Sequence, residues 1–172
     1  MKGIVSSNSL LKQVEAQIEQ GLKAGVRENY MRVVIAGMKF ALKDGPNGIL
    51  AKLKSSKDPV ADIVKGAISV VGLLRRAAKG AMPGGAMVPA AMTLTLHGLD
   101  YAERIGILKV DKAVVDQATQ LFAETMLVVM GVSKDQLNKM TNKVHGLMQD
   151  PAQMAKLQQA PEPSQLHPRG VR

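Results

Sequence analysis

Residues 80–99 read GAMPGGAMVPAAMTLTLHGL, and none of these twenty positions carries Lys, Arg, Asp or Glu. About 20 mostly apolar residues is the length that an α-helix needs to cross a bilayer. Pro83, the pair Gly84 and Gly85, and Pro89 interrupt the first half, however, so that a continuous helix over the whole stretch is not expected. We therefore predict that this stretch folds against protein as part of a core.

The run before this stretch, residues 58–79, has the marks of a buried helix. Asp58 stands before Pro59, an arrangement that places a capping carboxylate ahead of a proline at the first helical position. Apolar residues then recur at intervals of three and four, which is the helical period. These residues are Val60, Ile63, Val64, Ala67, Ile68, Val71 and Leu74.

A helical hairpin follows from these two observations. We expect Pro89 to open a second helix over residues 89–105, and Pro83, Gly84 and Gly85 to form the hairpin turn, where glycine adopts backbone angles that other residues resist. The alternative is a hairpin that enters an envelope only after subunits have assembled, since partner subunits can cover polar faces.

Further helices are predicted on both sides of the hairpin. Residues 112–130 carry a wide apolar stripe, and we expect it to pack against the stripe of residues 58–79. Gly45, Gly80, Gly106 and Gly131 are predicted to end helices. In the N-terminal part we predict helices over 9–24 and 26–43, which are either continuous or broken at Gly25. The apolar stripe of the first helix is narrow, which suits packing against a partner helix in this subunit or another. A short basic helix at 49–54, a helix start at 133–136, and a last helix at 151–159 complete the prediction.

Composition agrees with a helical fold. Aromatic residues make up 2% of the 172 residues, whereas Met occurs eleven times, and such a core suits helices better than the inner faces of a β-sandwich. We predict an all-α protein, a single bundle of about five to seven helices with a central helical hairpin. The predicted helical domain covers 1–159, with helices in 1–44 available for contacts between subunits and core helices in 58–148, and 160–172 is predicted to be a flexible tail.

The formal net charge is +9, and most of the excess lies near the N-terminus. Residues 1–57 carry ten Lys and Arg and four Asp and Glu. This asymmetry suits contact with nucleic acid, anionic lipid or an acidic neighbour, although a solvated helix face is an equally good interpretation. The candidate anion-facing residues are Lys39, Lys43, Lys52, Lys54 and Lys57.

The sequence offers little for catalysis. The chain has no cysteine, which excludes disulfides and thiolate sites, and its three histidines, His97, His145 and His167, lack metal-ligand spacing. Asp100 and Glu103 follow His97 at helical intervals, but we expect His97 to be a hydrogen-bonding residue of the core or an interface. GAMPGGAM lacks the Lys-Ser/Thr of a phosphate-binding loop. We predict no enzyme activity, no cofactor, no metal and no small-molecule substrate.

One segment resembles a known class of proteins. An SKDP helix start at 56–59, a KGAMP turn at 79–83, a VPA helix start at 88–90 and an LDYAE helix end at 99–103 together resemble small virion structural proteins of tailed bacteriophages. The resemblance covers roughly residues 30–135, and its marks are architectural.

The resemblance implies a virion protein present in several copies, made in the host cytoplasm. Its more specific form is an ejection protein that helps to form a genome-delivery conduit through the host envelope. The implied partners are copies of itself and other virion proteins, with non-specific contact to DNA backbone or host envelope. The alternative from a different class is a soluble basic helical adaptor that binds nucleic acid non-specifically.

Overall fold

The computed structural model of the chain describes residues 7–42, 51–79, 81–129 and 131. Within these residues the regular secondary structure is helical and contains no strand, which confirms the predicted all-α bundle. The helices are α1 (Ser9–Gln20), α2 (Arg27–Leu42), α3 (Pro59–Ala77), α4 (Gly84–Arg104) and α5 (Lys112–Val129), with a 3-10 helix at Ala51–Ser55 between α2 and α3.

The uncharged stretch forms most of α4, which is the central helix of the bundle. α1, α2 and α3 all pack against α4, and every residue from Thr93 to Asp100 is buried. A helix that is largely uncharged and mostly apolar is expected where neighbours surround it. Among the described helices, none is long and apolar enough to span a bilayer.

The predicted hairpin turn is wrong in detail. α4 begins at Gly84, with Pro83 as its N-cap in an extended conformation, so Gly84 and Gly85 belong to the first helical turn. Neither glycine has a positive φ, and both are exposed. Pro89 lies inside the helix. The hydrogen bond that Pro89 cannot donate would have reached the carbonyl of Gly85, and because Gly85 is exposed, that carbonyl can be hydrated.

α3 begins and buries its stripe as predicted. The Asp58 carboxylate accepts a hydrogen bond from the Ala61 amide at 3.1 Å, and Pro59 occupies the first turn. The predicted packing of this stripe against the helix at 112–130 is wrong, since α3 packs mainly against α4 and α2. The width of an apolar stripe predicts how much of a helix is buried, but it does not specify which neighbour covers it.

Two glycines allow the central helix to approach its neighbours closely. A Cβ atom on Gly98 of α4 would lie 2.6 Å from Cγ2 of Ile63 on α3. A Cβ atom on Gly37 of α2 would lie 2.5 Å from Cδ1 of Leu94 on α4. Both distances are far shorter than carbon atoms tolerate, so these positions accept no side chain without displacement of a buried neighbour.

Helix ends agree with two of the four predicted stops. Gly106 adopts φ +72° after α4, and its amide and that of Ile107 bond back to Glu103 and Ala102, which is a Schellman motif. Gly131 likewise has φ +92°. After α3, by contrast, the left-handed residue is Lys79, at φ +49°. The segment between α1 and α2 is not helical through Gly25.

Several predictions lie outside the described residues. They are the stops at Gly45 and Gly80, the helix start at 133–136, the helix at 151–159 and the tail at 160–172. The chain divides into the units Met1–Met126 and Leu127–Arg172, and α1 to α4 with most of α5 belong to the first. The single helical domain over 1–159 therefore stays a prediction.

Candidate functional site

A polar cluster joins the start of α1 to the end of α4, and Asp100 is its centre. Oδ1 of Asp100 accepts hydrogen bonds from the Ser7 amide and the Ser7 hydroxyl, both at 2.7 Å, and from the Asn8 amide at 3.4 Å. Oδ2 lies 2.8 Å from Nη2 of Arg104, one helical turn further along. The buried carboxylate is therefore bonded on both oxygens.

These contacts set the protonation of Asp100. Burial by itself raises the pKa of the carboxyl, but the hydrogen bonds from Ser7 and the positive charge of Arg104 outweigh burial, and the pKa lies below its usual range. The ionised form of Asp100 is therefore the one that holds the start of α1 in place.

Glu103 extends the cluster to the segment before α5. Its Oε2 accepts a hydrogen bond from Nδ2 of Asn8 at 2.9 Å, and its Oε1 accepts one from the Val110 amide at 2.8 Å. Asn8 also donates to the Val110 carbonyl at 3.1 Å, and its Oδ1 caps α1 by accepting from the Leu10 amide at 2.9 Å. We call Ser7, Asn8, Asp100, Glu103, Arg104 and Val110 the α1–α4 polar cluster.

His97 lies deeper between the same two helices. Its Nε2 is 3.3 Å from Oε1 of Glu15, and its side chain is only 3% exposed. The predicted burial of His97 is confirmed, and Glu15 is its polar neighbour. A second buried pair, the hydroxyls of Tyr30 and Thr93 at 2.9 Å, joins α2 to α4.

These polar groups connect different segments of the fold. His97, Asp100 and Glu103 face partners from other segments of the fold, and their polar atoms take part in bonds that hold helices together. Among the described residues, no group of three or more His, Asp or Glu side chains is placed to hold a metal ion.

The predicted anion-facing lysines are only partly described. Lys39, at the end of α2, and Lys54 and Lys57, around the 3-10 helix, are exposed. Lys52 lies in the 3-10 helix, but its side chain is outside the described residues, as is all of Lys43. In the described part of the chain, the lysines and arginines that pair with an acid are Arg32, Arg104 and Lys112.

A narrow cleft lies near the end of α2 and the 3-10 helix. Met38 and Leu53 line it, and Lys39 and Lys54 are their neighbours in sequence; His97 forms part of its inner wall. Its cavity volume is about 40 Å³, which is room for a few water molecules. The cleft is thus too small to be a ligand site.

A wider groove lies between α2 and α3, next to the connection to α4, and has a cavity volume of about 370 Å³. We call it the α2–α3 groove. The sequence did not lead us to predict this groove. One signal was present, since small alanines take the place of larger apolar residues where the apolar stripe of α3 ends. The apolar lining includes Val33, Ala36, Leu74, Ala77, Ala78 and Met82.

Comparison with known proteins gives no relative. The chain matches no known protein family, and no curated protein or solved structure is significantly similar to it.

Proposed function

We propose that this protein is a non-enzymatic structural subunit of a tailed-bacteriophage particle, acting in several copies and in contact with other virion proteins. The more specific form of the proposal is a protein that leaves the particle with the genome and helps to line its path through the host envelope. The resemblance of residues 30–135 to virion structural proteins supports the role as a structural subunit. The role in the host envelope extends that proposal.

The observation that carries the proposal is the exposure of large apolar side chains on α2, α3 and α4. At the end of α2, Lys39, Phe40 and Leu42 are all exposed, with Phe40 at 41% and Leu42 at 48%. Leu73 on α3 and Val88 on α4 are also large apolar side chains with high exposure. Exposed large apolar residues with polar residues around them are typical of surfaces that neighbouring subunits cover.

The polar groups between α1 and α4 support the same proposal. His97, Asp100 and Glu103 are occupied in joining α1 to α4 and to the segment before α5, so their chemistry is explained by the fold. A structural subunit acts through its surface, which contacts neighbouring subunits, while its interior stabilises the fold.

A test begins with the purified full-length chain. Light scattering coupled to size-exclusion chromatography and negative-stain microscopy should find a discrete particle of several copies. The double variant Lys39→Glu/Phe40→Ser should shift the population toward the monomer with unchanged helicity, whereas the control Lys109→Glu, on an exposed loop position, should not. A chain that stays monomeric at every concentration would contradict the proposal.

The second candidate function is non-specific nucleic-acid binding, which Lys54 and Lys57 favour, since neither pairs with an acid in the part of the chain that the structure describes. Binding through phosphate contacts falls steeply as salt rises, in proportion to the number of contacts. Retention of duplex DNA by a monomer, lost with Lys54→Glu/Lys57→Glu, would favour this function over the virion role.

A further inference from the structure

The α2–α3 groove presents accessible apolar surface in a concave shape. Ala77, Ala78 and Ala81 are exposed, while Leu74 and Met82 are half-buried below them. Alanine side chains are too short to fill the space between two helices. The groove therefore has room for a large apolar side chain supplied from outside.

The surroundings of the groove are positive. Arg32 lines it, and the Glu28 that pairs with Arg32 at 2.6 Å is 77% exposed, so water and competing ions weaken that pair. Arg75, Arg76 and Lys79 lie in or just after the last turn of α3, are exposed, and have no acidic partner among the described residues.

The start of α4 adds to this positive character. Pro83 lines the groove and provides no side-chain cap, and the first turn of α4 contains no acidic residue. The free amides at the N-terminus of a helix carry partial positive charge, which favours a carboxylate nearby.

We propose that the α2–α3 groove is a docking site for an acidic amphipathic segment of another protein. The segment inserts an apolar side chain between α2 and α3 and places a carboxylate beside Arg32. The proposal does not depend on the virion role, because it rests only on the shape and charge of the groove.

Other occupants fit less well. A second copy is a poor match because the chain carries 23 Lys and Arg against 14 Asp and Glu. Nucleic acid would satisfy the cations but leave the apolar lining unfilled. A membrane surface is broad and flat, whereas the groove is a recess bounded by α2, α3 and the connection to α4.

The test is an unbiased selection against the full-length chain. A displayed library of random peptides of roughly 16 residues, enough for about four helical turns, is enriched for binders. The expected binders combine Asp or Glu with Leu, Met or Phe at helical spacing. On titration of a selected peptide, the methyl signals of Ala36, Ala77 and Ala81 should shift.

Two variants locate the binding. Ala78→Leu fills the groove at an exposed position and should weaken binding at least about tenfold. Arg32→Glu should weaken it about threefold to tenfold, and more at low salt. The matched controls, Ala113→Leu on α5 and Lys65→Glu on α3, should change the dissociation constant by less than about twofold. All four chains are first compared by thermal unfolding.

The proposal is overturned if the selection yields no binder, or if the binders lack either acidic or apolar residues. It is also overturned if folded Ala78→Leu binds the selected peptides as tightly as the unchanged chain. Retention of duplex DNA or anionic vesicles that Ala78→Leu abolishes would assign the groove to those partners and would likewise contradict it.

Discussion

At the scale of single residues, the close approach of α3 and α4 depends on Gly98. Gly98→Ala should destabilise the fold by about 1–3 kcal/mol, because the new methyl group meets Cγ2 of Ile63 and overpacking has costs of this size. Ile63 cannot easily avoid the clash, since a β-branched side chain in a helix has one strongly preferred rotamer. Urea unfolding followed by circular dichroism measures the change.

Gly72→Ala is the matched control for Gly98→Ala. Gly72 lies inside α3, and a Cβ atom there would have no neighbour within 4 Å. Higher helix propensity should then make the protein more stable by up to about 1 kcal/mol. If Gly98→Ala were as stable as Gly72→Ala, the close contact between α3 and α4 would be refuted.

Lys79 has a backbone conformation that favours glycine. Its φ is +49°, and a left-handed conformation costs an L-residue with a side chain roughly 1–2 kcal/mol. Lys79→Gly should therefore raise the melting temperature, whereas Ala78→Gly, at φ −78°, should lower it. A lower melting temperature for Lys79→Gly than for Ala78→Gly would show that α3 is not followed by a left-handed residue at Lys79.

At the scale of elements, α1 is held to α4 by a carboxylate that must be ionised. Because the folded-state pKa of Asp100 is lowered, its contribution to stability is present above the ordinary Asp pKa near 4 and is lost as pH falls through the folded-state pKa. Asp100→Asn should thus cost about 1–2 kcal/mol at neutral pH and much less once the pH is below the folded-state pKa.

Asp116→Asn is the control for this prediction. Asp116 forms an exposed pair with Lys112 on α5, and pairs of this kind contribute about 0–1 kcal/mol. Unfolding midpoints in urea at neutral and strongly acidic pH compare the two variants with the unchanged chain. A loss for Asp100→Asn that is equally large at both pH values would exclude the charged interaction.

The elements that could be predicted from sequence are those with local marks. Asp58 and Pro59 fixed the start of α3, and Gly106 fixed the end of α4, because caps involve residues a few positions apart. The predicted start of α4 at Pro89 is wrong because a proline is common in the first helical turn, whereas Pro89 lies inside a helix that begins at Gly84. The contacts of Ser7 and Asn8 with Asp100 and Glu103 join residues more than ninety positions apart, and no local pattern indicates them.

The candidate site was predictable to a smaller degree. Charge alone predicts that Lys39, Lys54 and Lys57 are exposed. The α2–α3 groove, by contrast, depends on how two helices meet. The predicted packing partner of α3 is also wrong, because packing depends on how helices meet. Gly37 and Gly98 allow α4 to approach α2 and α3 closely. The apolar stripe of α3 is then covered by α4 and α2.

At the scale of the whole molecule, the order of the bundle depends on α4. Its neighbours α1, α2 and α3 each pack against it, so the amides of α4 should open to solvent only when the bundle unfolds. Peripheral contacts, such as the narrow stripe of α1 with Leu11 as its one fully buried residue, should open earlier.

Native-state hydrogen exchange of the full-length chain, without lipid or detergent, tests the central claim that the uncharged stretch is the core helix of this bundle. Amides from Ala91 to Ala102 should exchange more slowly than those of α1, at the rate set by global unfolding. Addition of anionic vesicles should leave that protection unchanged. If these amides exchanged as fast as those of the loops, and became protected only with vesicles or detergent, the account would be contradicted.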